Sequence, residues 1–538
     1  MKKIILIGAM IGVAIGAVLL LSKERKDVIV TTVAKKAIDY LPAPEGQEKE
    51  MAVVTDIMKR FLTADGTTHR ILILLQNNFE LRPTGGFLGQ FAVVELRDGH
   101  VVRTEIVDAN VFDKEIKSDR PAPPVLAKYM GIKKWKFRDA NWSPDFPTAV
   151  QDVLHFYGLK PGNNTDFDAV VAMNATLLNE LLAITGDITI RTKSRQRGAF
   201  DVTFTAADGA WTLQQAVEKE ILLRDEAVAR AEAQAEATGE RYKEPRDENG
   251  KKIRRVKPWE RHNRKQIMKD LGNAIVERLM APTRLSTTIP QMTSFALEAL
   301  ARKDIQLWFK DPALQAQART QHWTGEVDTQ WDGDYVMVVD ANLGSLKTDR
   351  HITRTIEHTV DFRGLGAEVN NAAAGRMVRY RTADLKERIM AGNYRAPGPL
   401  ATTRVTYEHT AQAPDWSTSD YHSYTRLIVP AGAHWLTREW FFAPSVDTET
   451  FANRTVYGYK FDVLINDPNF PHILPTMLQY TLPSTITDTN YAFKIQKQSG
   501  TGTIPFRLTV ITTDGTRYTY SADLTHDLTV TLADMTRE

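Results

Sequence analysis

The sequence predicts an α/β domain, with a mixed sheet and flanking helices, followed by an all-β sandwich or barrel module. Residues 71–75 are all apolar, which is typical of a strand buried on both faces of a sheet. From there to residue 309, strand-like and helix-like segments alternate, and this order favours an α/β fold. Beyond Gly325, short strand-like runs separated by Gly, Pro and Asp turns are typical of a sandwich or barrel.

The α/β domain is expected to follow the order strand, hairpin, helix, strand, helix, strand. Asp98-Gly99 between two β-rich runs, 87–96 and 101–107, is a strong hairpin signal, because this dipeptide suits a tight turn. The other predicted elements are a helix at 147–157, a buried strand at 166–173, a helix between Asn174 and Gly186, and a strand at 188–190. Predicted strands of the C-terminal module are 335–339, 351–362, 404–408, 424–429, 456–465, 506–512 and 518–522.

A chain of 538 residues exceeds what one hydrophobic core normally supports, so we expect two or three domains. The predicted boundaries are 1–22 for a transmembrane signal anchor, 23–67 for a linker with a short helix, 68–325 for the α/β domain, and 326–538 for the β-rich module, which could comprise two sub-domains.

The N-terminal apolar run, residues 4–21, is long enough to cross a membrane. As a helix it would reach ~27 Å, close to the ~30 Å hydrocarbon core. No small-residue cleavage site precedes the charged stretch that starts at Lys23, so we expect a retained, single-pass anchor. Gly8, Gly12 and Gly16 lie on one face of this helix and would allow a homodimer, although small residues are common in spanning helices anyway.

Composition excludes several classes of protein. The net charge of +2 argues against a nucleic-acid binder, which needs a concentrated basic surface. The absence of cysteine excludes disulfides, thiolate metal sites and cysteine nucleophiles. Phosphate-binding glycine loops, paired-histidine zinc helices, serine elbows and calcium loops are also missing, so the sequence predicts no metal and no cofactor.

Residues 218–265 form a charged excursion within the α/β domain, far richer in charge than the 25% of the whole chain. We expect an exposed, partly helical arm that can be shortened without unfolding the domain, because it has little apolar surface to bury. An alternative is that its basic part, 251–265, contacts anionic lipid headgroups or a wall polymer.

The candidate site follows the apolar strand at its carboxyl end, where ligands bind in open α/β sheets. Arg82 presents a donor fork suited to phosphate, and Glu80 could hold a metal ion or orient a proton, so these two are the candidate catalytic residues for phosphoryl transfer. The alternative is a buried Glu–Arg pair that locks the end of the strand. Candidate ligand-binding residues around them are Asn77, Asn78, Thr84, Gly85 and Gly86.

Two further polar segments were weighed as parts of a site. In residues 138–147, Trp142 could stack on a sugar ring, or it could pack inward beside a helix whose start is capped by Asp145. Asn342, Lys347 and Asp349 are interpreted as a turn or an inter-domain contact.

Three long motifs carry a resemblance to a known family. The run 74–89, LLQNNFELRPTGGFLG, with 141–147, NWSPDFP, and 341–347, ANLGSLK, resembles the bacterial family known only as domain of unknown function 4012. The resemblance covers most of the chain from about Ile71 onward. It implies a membrane-anchored bacterial protein whose bulk faces outward, and it implies no established activity.

A remoter resemblance links the order of elements to the LytR-CpsA-Psr family. It implies a membrane-anchored phosphotransferase that moves lipid-pyrophosphate-linked glycopolymers onto the cell wall, with a divalent metal such as Mg²⁺. On this comparison Arg82 and Glu80 lie near the family's first Arg and Asp, and Arg224 lies where a later helix supplies another Arg. The chain departs from the pattern at residues 107–110, VDAN, where the family has Pro-Arg-Asp.

We therefore expect a cell-membrane protein that binds or assembles material at the cell wall, with an enzyme as the less favoured alternative. Its expected partners are the membrane and a cell-wall glycopolymer or polyprenyl lipid. The alternative function is a divergent glycopolymer phosphotransferase. Arginines that converge on Glu80 in an open apolar groove would favour the enzyme, whereas a closed, dry polar cluster would favour a structural role.

Overall fold

A computed structural model of the chain describes residues 48–194, 198–239, 241–247, 250–254, 266–279, 281, 284–363, 398–439, 446–465 and 472–538. The predicted anchor lies outside these residues, as do Gly8, Gly12 and Gly16. Among the residues that are described, no helix is both long and apolar enough to cross a membrane.

The described chain divides into two compact units that are not contiguous in sequence. The α/β unit contains residues 48–76, 89–112 and 164–324, and the β-rich unit contains 77–88, 113–163 and 325–538. The loop after the first strand, with Glu80 and Arg82, therefore belongs to the β-rich unit. Whether the segments 68–325 and 326–538 fold as separate domains stays a prediction.

Helices occur mainly in the α/β unit. They are α1 (Glu48–Leu62), α2 (Ala109–Glu115), α3 (Pro124–Met130), α4 (Phe146–Gly158), α5 (Leu177–Thr185), α6 (Gly209–Gln214), α7 (Glu220–Thr238), α8 (Gln266–Leu279), α9 (Leu285–Ala301) and α10 (Pro312–Thr320). Of these, α3 and α4 lie in the β-rich unit, and α2 spans the point where the chain passes from one unit to the next.

The α/β unit is built on a mixed five-stranded sheet in the order β3-β2-β1-β4-β7, with β5 and β6 forming a separate hairpin. Strands β1 and β4 are parallel, whereas β2–β3 and β4–β7 are antiparallel. This confirms the predicted mixed sheet and the predicted hairpin. The strands are β1 (Thr68–Asn77), β2 (Phe87–Arg97), β3 (His100–Asp108), β4 (Ala169–Asn174), β5 (Ile188–Ser194), β6 (Gly198–Phe204) and β7 (Ile305–Phe309).

The central position of β1 follows from its side chains. Leu72, Ile73 and Leu74 are all buried, so both faces of this strand are covered, as a continuous apolar run requires. Ile73 joins a core that includes Val54 and Phe61 of α1. A strand covered on both faces holds its carboxyl end in place, and this fixes the start of the loop that carries Glu80.

The helical part of the charged arm is packed on one face. In α7, Ile221, Arg224 and Val228 are buried, at positions three and four residues apart on the helix, while Leu222 and Leu223 are exposed. That the arm can be shortened without unfolding the domain stays a prediction, but a deletion that includes α7 would remove apolar surface that this helix buries.

We expect Val228→Asp to lower the free energy of unfolding by ~2–3 kcal/mol, because an unpaired carboxylate would replace the two buried methyl groups of the valine. Ala229→Asp is the matched control: it adds the same charge at an exposed neighbouring position and should change stability by less than ~0.5 kcal/mol. Urea denaturation of both variants measures the difference. Equal small effects would show that α7 is a dispensable arm.

The β-rich unit contains two open sheets, in the orders β12-β15-β10-β9-β17-β18-β20 and β13-β14-β11-β8-β16-β19. The strands are β8 (Asp334–Asn342), β9 (Ile352–Asp361), β10 (Leu400–His409), β11 (Tyr421–Pro430), β12 (His434–Glu439), β13 (Asp447–Phe451), β14 (Arg454–Val463), β15 (Ile473–Thr481), β16 (Ala492–Gln496), β17 (Ile504–Ile511), β18 (Arg517–Leu524), β19 (Leu528–Thr531) and β20 (Thr536–Arg537).

One hydrophobic core joins the two sheets, which is the arrangement of a sandwich. Val336 from one sheet and Ile356 from the other belong to the same buried cluster. A polar chain crosses this core: His358 lies 2.9 Å from the Thr403 hydroxyl and 3.0 Å from the Asp334 carboxylate. His358 and Asp334 are wholly buried, so this triad-like arrangement has no access to a substrate and satisfies core polar groups instead.

Candidate functional site

The loop between β1 and β2 folds back on itself through main-chain hydrogen bonds. Glu80 N–H donates to the Asn77 carbonyl at 3.0 Å, and Phe87 N–H donates to the Glu80 carbonyl at 2.9 Å. Gly85 N–H donates to the Arg82 carbonyl at 2.9 Å. These bonds close the loop into two tight turns, which set the positions of the Glu80 and Arg82 side chains.

Both terminal nitrogens of Arg82 donate hydrogen bonds within its own unit. Its Nη2 donates to Glu80 Oε1 at 3.1 Å, and its Nη1 donates to the Asn342 carbonyl at 2.6 Å and to the Leu81 carbonyl at 3.2 Å. The guanidinium also lies 5.5 Å from the centre of the Phe87 ring. Arg82 is 1% exposed and Glu80 is 2% exposed, so this pair is closed to solvent.

Two more charged groups complete what we call the Glu80 cluster, namely Glu80, Arg82, Asp139 and Lys347. Lys347 Nζ donates to Glu80 Oε2 at 2.9 Å, so each oxygen of this carboxylate has a cationic partner. Asp139 Oδ1 lies 3.8 Å from Arg82 Nη2, and Asp139 is 2% exposed. With all four groups ionised the cluster is neutral, which is the condition under which buried charges are tolerated.

The loop is anchored to the strand β8 and the turn that follows it. Leu81 N–H donates to Asp349 Oδ2 at 2.9 Å, and its carbonyl accepts from Asn342 N–H at 3.0 Å. Asp349 is itself held by Arg354 at 2.8 Å and by the Asn342 side chain at 2.8 Å. A network in which each donor and acceptor is matched rigidifies the segment that carries it.

The candidate ligand-binding glycines are packed against backbone. A Cβ on Gly86 would lie 2.3 Å from the Asn77 carbonyl carbon and 2.5 Å from Asn78 N. Gly85 has a positive φ of 136°, and its carbonyl would lie 2.3 Å from a Cβ on Gly500. The glycines therefore allow close approach of protein to protein, where the sequence predicted close approach to a phosphate.

The candidate amide and hydroxyl groups also have partners within the unit. Asn141 donates to the Thr84 hydroxyl at 3.0 Å and to the Gly86 carbonyl at 2.9 Å. Asn78 donates to the Gly500 carbonyl at 3.2 Å, and Asn77 Oδ1 accepts from Phe79 N–H at 3.2 Å. These side chains hold the loop and its neighbours together.

Trp142 packs inward. It is 8% exposed, and it lies in a small apolar cluster with Leu126 and Tyr424. The Arg426 guanidinium is 4.3 Å from the centre of its ring, and Arg426 Nη1 donates to its carbonyl at 3.1 Å. Asp145, three residues later, caps α4 by accepting from Thr148 N–H at 3.0 Å. The ring is therefore engaged by protein, as the second of the two sequence-based interpretations expected.

Arg224 lies in the other unit. It is buried in α7, and its Nε and Nη2 donate to the Arg254 carbonyl at 3.3 and 3.2 Å. The predicted site residues therefore do not all belong to one unit. Arg224 lies in the α/β unit, whereas the β-rich unit contains Asn77, Asn78, Glu80, Arg82, Thr84, Gly85, Gly86 and Trp142.

Burial raises the pKa of one carboxyl group within the cluster and of one beside it. The pKa of Asp139 is raised because the group is desolvated, an effect that Arg82 and Arg138 oppose. Burial likewise raises the pKa of Asp113 to about 6, against the opposing charge of Arg138. Asp113 Oδ1 accepts from Phe137 N–H at 2.9 Å, so it positions the turn that carries Asp139.

We expect Asp113→Asn to gain stability relative to wild type as the pH rises from 4.5 to 7.5. A carboxyl whose folded pKa exceeds its unfolded value stabilises the fold below the unfolded pKa and loses that contribution as pH rises through about 6. The relative gain should be ~1–3 kcal/mol, measured by denaturant unfolding at both pH values.

The matched control is Asp119→Asn. Asp119 is exposed, and its hydrogen bond with His155 lowers its pKa, so its contribution is lost as the pH falls. Because this loss occurs only below pH ~3.8, the stability of this variant relative to wild type should stay constant between pH 4.5 and 7.5. The same pH profile for the two variants would contradict the assignment of a raised pKa to Asp113.

The charged side chains of the cluster are bonded to other groups of the protein. Across the described ranges, no group of three or more His, Asp or Glu side chains is arranged to hold a metal ion. Both Glu80 oxygens and both terminal nitrogens of Arg82 are already bonded to protein groups.

Residues 66–208 match the model of a family described as "Protein of unknown function (DUF4012)". The match confirms the resemblance that the motifs in 74–89 and 141–147 suggested, and it covers Glu80, Arg82 and Trp142. No curated protein matches the chain.

Solved structures similar to this chain include TagV of Bacillus subtilis, gbs0355 of Streptococcus agalactiae and Lin1025 of Listeria innocua. Their sequence identities are 12%, 12% and 11%, and their TM-scores are 0.22, 0.25 and 0.21. Each match covers 48% of this chain, and 82%, 75% and 79% of those chains. At these TM-scores the likeness carries no argument about the fold or the activity of this chain.

Sequence reasoning missed three partners of the loop 78–86. Asp139, Lys347 and Asp349 all contact residues 80–82, yet the sequence interpretation assigned Lys347 and Asp349 to a turn or an inter-domain contact. One signal in the sequence could have pointed to these partners: the motif at 341–347 belongs to the same family resemblance as the loop motif at 74–89. The sequence alone does not indicate that the two motifs are in contact.

Proposed function

We propose that this DUF4012 protein is a membrane-anchored component of the bacterial cell envelope that binds or assembles material at the cell wall. In this proposal the Glu80 cluster is a structural lock that joins the loop 78–86 to the β-rich unit. The predicted anchor at 4–21 and the family resemblance support the location, and the closed cluster supports a non-catalytic role.

The closure of the cluster is the observation that carries the proposal. Arg82 is 1% exposed, and its terminal nitrogens bind Glu80 and main-chain carbonyls. A phosphate could reach the guanidinium only if those bonds were broken and a buried carboxylate were left with one cationic partner fewer, which costs several kcal/mol, of order 3–5. Substrate binding would have to supply that free energy before any chemistry.

A divergent phosphotransferase is the competing proposal, and one observation favours it. Arg82 Nε and Asp139 Oδ2 are buried and have no hydrogen-bond partner among the described residues. Native proteins leave few such groups unmatched, so each needs an explanation. An oxygen-rich ligand that entered the cluster would match Arg82 Nε, although it would meet the carboxylates of Glu80 and Asp139 as well.

Co-purification tests the proposed function. The full chain is isolated from native envelope in mild detergent, and the bound lipids and glycans are identified by mass spectrometry. The control is the segment 1–47 fused to an unrelated soluble protein, which keeps the anchor and removes both units. We expect wall glycans or their lipid-linked precursors with the full chain alone. Recovery of the same molecules with both proteins, or of none, would contradict an envelope-binding role.

A further inference from the structure

Residues 114–138 of the β-rich unit hold a concentration of positive charge. They contain eight Lys and Arg against two acids, Glu115 and Asp119, whereas the whole chain has a net charge of only +2. Three of the lysines, Lys128, Lys133 and Lys134, are exposed and Lys136 is half-buried. We refer to these four as the lysine ribbon.

Three acids near the ribbon are bound to other cations. Glu115 pairs with Lys160 at 2.6 Å, and Asp119 pairs with His155 at 2.8 Å. Asp152 of α4 pairs with Arg120 at 2.8 Å. Within the described part of the chain, none of the four ribbon lysines forms an ion pair, and their charge interactions with acids are limited to longer-range ones of Lys128 with Asp447 and of Lys136 with Asp113. Their charges are therefore available to an external anion.

The backbone beneath the lysines is held in place. Trp135 N–H donates to the Arg120 carbonyl at 3.2 Å, and residues Pro121 and Lys134 form an antiparallel bridge. The Trp135 ring donates to the Asp139 carbonyl at 2.9 Å and lies edge-on to Phe156, 5.3 Å between ring centres. Charges on a fixed backbone lose less entropy when a ligand binds, so this arrangement favours recognition.

Aromatic rings lie among these charges. Tyr129 is half-buried, with Lys128 Nζ 4.8 Å and Lys460 Nζ 5.9 Å from its ring centre. Trp135 is also half-buried. Such rings offer an apolar face to a sugar while the lysines meet its charges. Among the described residues, the exposed large apolar side chains all lie outside 114–138. The segment that carries the ribbon therefore presents no exposed large apolar side chain that could insert into lipid.

We propose that the lysine ribbon binds a polyanionic glycan, a sugar polymer that carries a repeating phosphate group. The proposal rests on the envelope function above and names the chemistry of the partner. Lysine ammonium groups bind phosphate as point charges. Several lysines along a short segment suit a polymer with repeating phosphates better than they suit an isolated phosphate. The site is separate from the Glu80 cluster and needs no opening of buried pairs.

The test measures binding of phosphorylated dextran to the purified full chain in a neutral detergent, with neutral dextran of the same length as the reference probe. The variant is Lys133→Gln/Lys134→Gln/Lys136→Gln. The matched control, Lys49→Gln/Lys243→Gln/Lys269→Gln, removes three exposed lysines from the α/β unit. A third variant changes the same ribbon positions to Arg and so keeps the charge.

We expect the ribbon Gln variant to weaken binding roughly tenfold or more, with the control and the Arg variant within about twofold of wild type. Binding should weaken as salt is raised, and neutral dextran should not bind. Melting temperatures of all variants should match wild type, because the changed side chains make no ion pairs. Loss of binding with an unchanged melting temperature supports the proposal.

Three results would overturn it: equal losses in the ribbon and control variants, equal binding of neutral dextran, or tighter binding to phosphatidylglycerol vesicles or single-stranded DNA of the same charge. The last would assign the ribbon to a membrane or a nucleic acid. This binding assay uses a purified probe, so its outcome does not depend on the co-purification experiment. If the protein bound phosphorylated dextran but no envelope glycans co-purified with it, the proposed envelope function would be wrong and the ribbon would still be a polyanion site.

Discussion

Replacing Arg82 with Met should lower the free energy of unfolding by ~3–5 kcal/mol, because it removes the cation and leaves Glu80 and Asp139 buried with one partner fewer. Arg82→Lys keeps the charge but cannot reach Glu80 and the Asn342 carbonyl together, so we expect ~1–3 kcal/mol for this variant. Denaturant unfolding of the full chain measures both changes.

The control for Arg82→Lys is Arg120→Lys. Arg120 is in the same unit, its side chain is 41% exposed and its ion pair is with Asp152, so the substitution should cost less than ~0.5 kcal/mol. Binding of a polyprenyl-pyrophosphate analogue is measured on the same proteins. Marked destabilisation with unchanged binding would eliminate the phosphotransferase proposal, whereas unchanged stability with weaker binding by ~1 kcal/mol or more would support it and remove the structural lock.

Gly86→Ala should destabilise the β-rich unit by ~3 kcal/mol or more, or prevent its folding. The new methyl would lie 2.3 Å from the Asn77 carbonyl carbon, and since the obstacle is backbone, no side chain can rotate to relieve it. The loop 78–86 would have to shift, and the hydrogen bond from Leu81 N–H to Asp349 would shift with it. Thermal melting and the yield of soluble protein report the effect.

Gly131→Ala is the matched control, because it separates steric from conformational cost. Gly131 has a φ of +66°, and nothing lies within 4 Å of an added Cβ, so only the left-handed backbone should be penalised, at ~1 kcal/mol. If Gly86→Ala cost no more than Gly131→Ala, the close approach of the loop to Asn77 would not be a constraint on the fold.

Several elements could be predicted from the sequence because their signals are local. The all-apolar run at 71–75 became the covered strand β1, and Asp98-Gly99 became the turn between β2 and β3. The helix predicted at 147–157 corresponds to α4, capped by Asp145. Periodicity and turn chemistry depend only on residues a few positions apart, so these elements can be recognised without knowing what packs against them.

The same local signals did not show to which of the two units an element belongs. The loop 78–86 and the helix α4 both lie within the region expected to be α/β, yet both belong to the β-rich unit. An amphipathic helix shows that it has a buried face, but its pattern does not specify which core covers that face.

By itself the sequence determined the resemblance of its motifs to one family, the central strand and the β-rich C-terminal half. It also determined that charged groups gather in the polar loop at 77–86. Only the tertiary structure decided what that loop does within its unit: Lys347, 267 residues away, binds Glu80, and Asn342, 260 residues away, binds Arg82. A local pattern reveals that a charge needs a partner, because burial of an unpaired charge is costly. Which distant residue becomes that partner depends on the path of the whole chain, and no short-range periodicity records it.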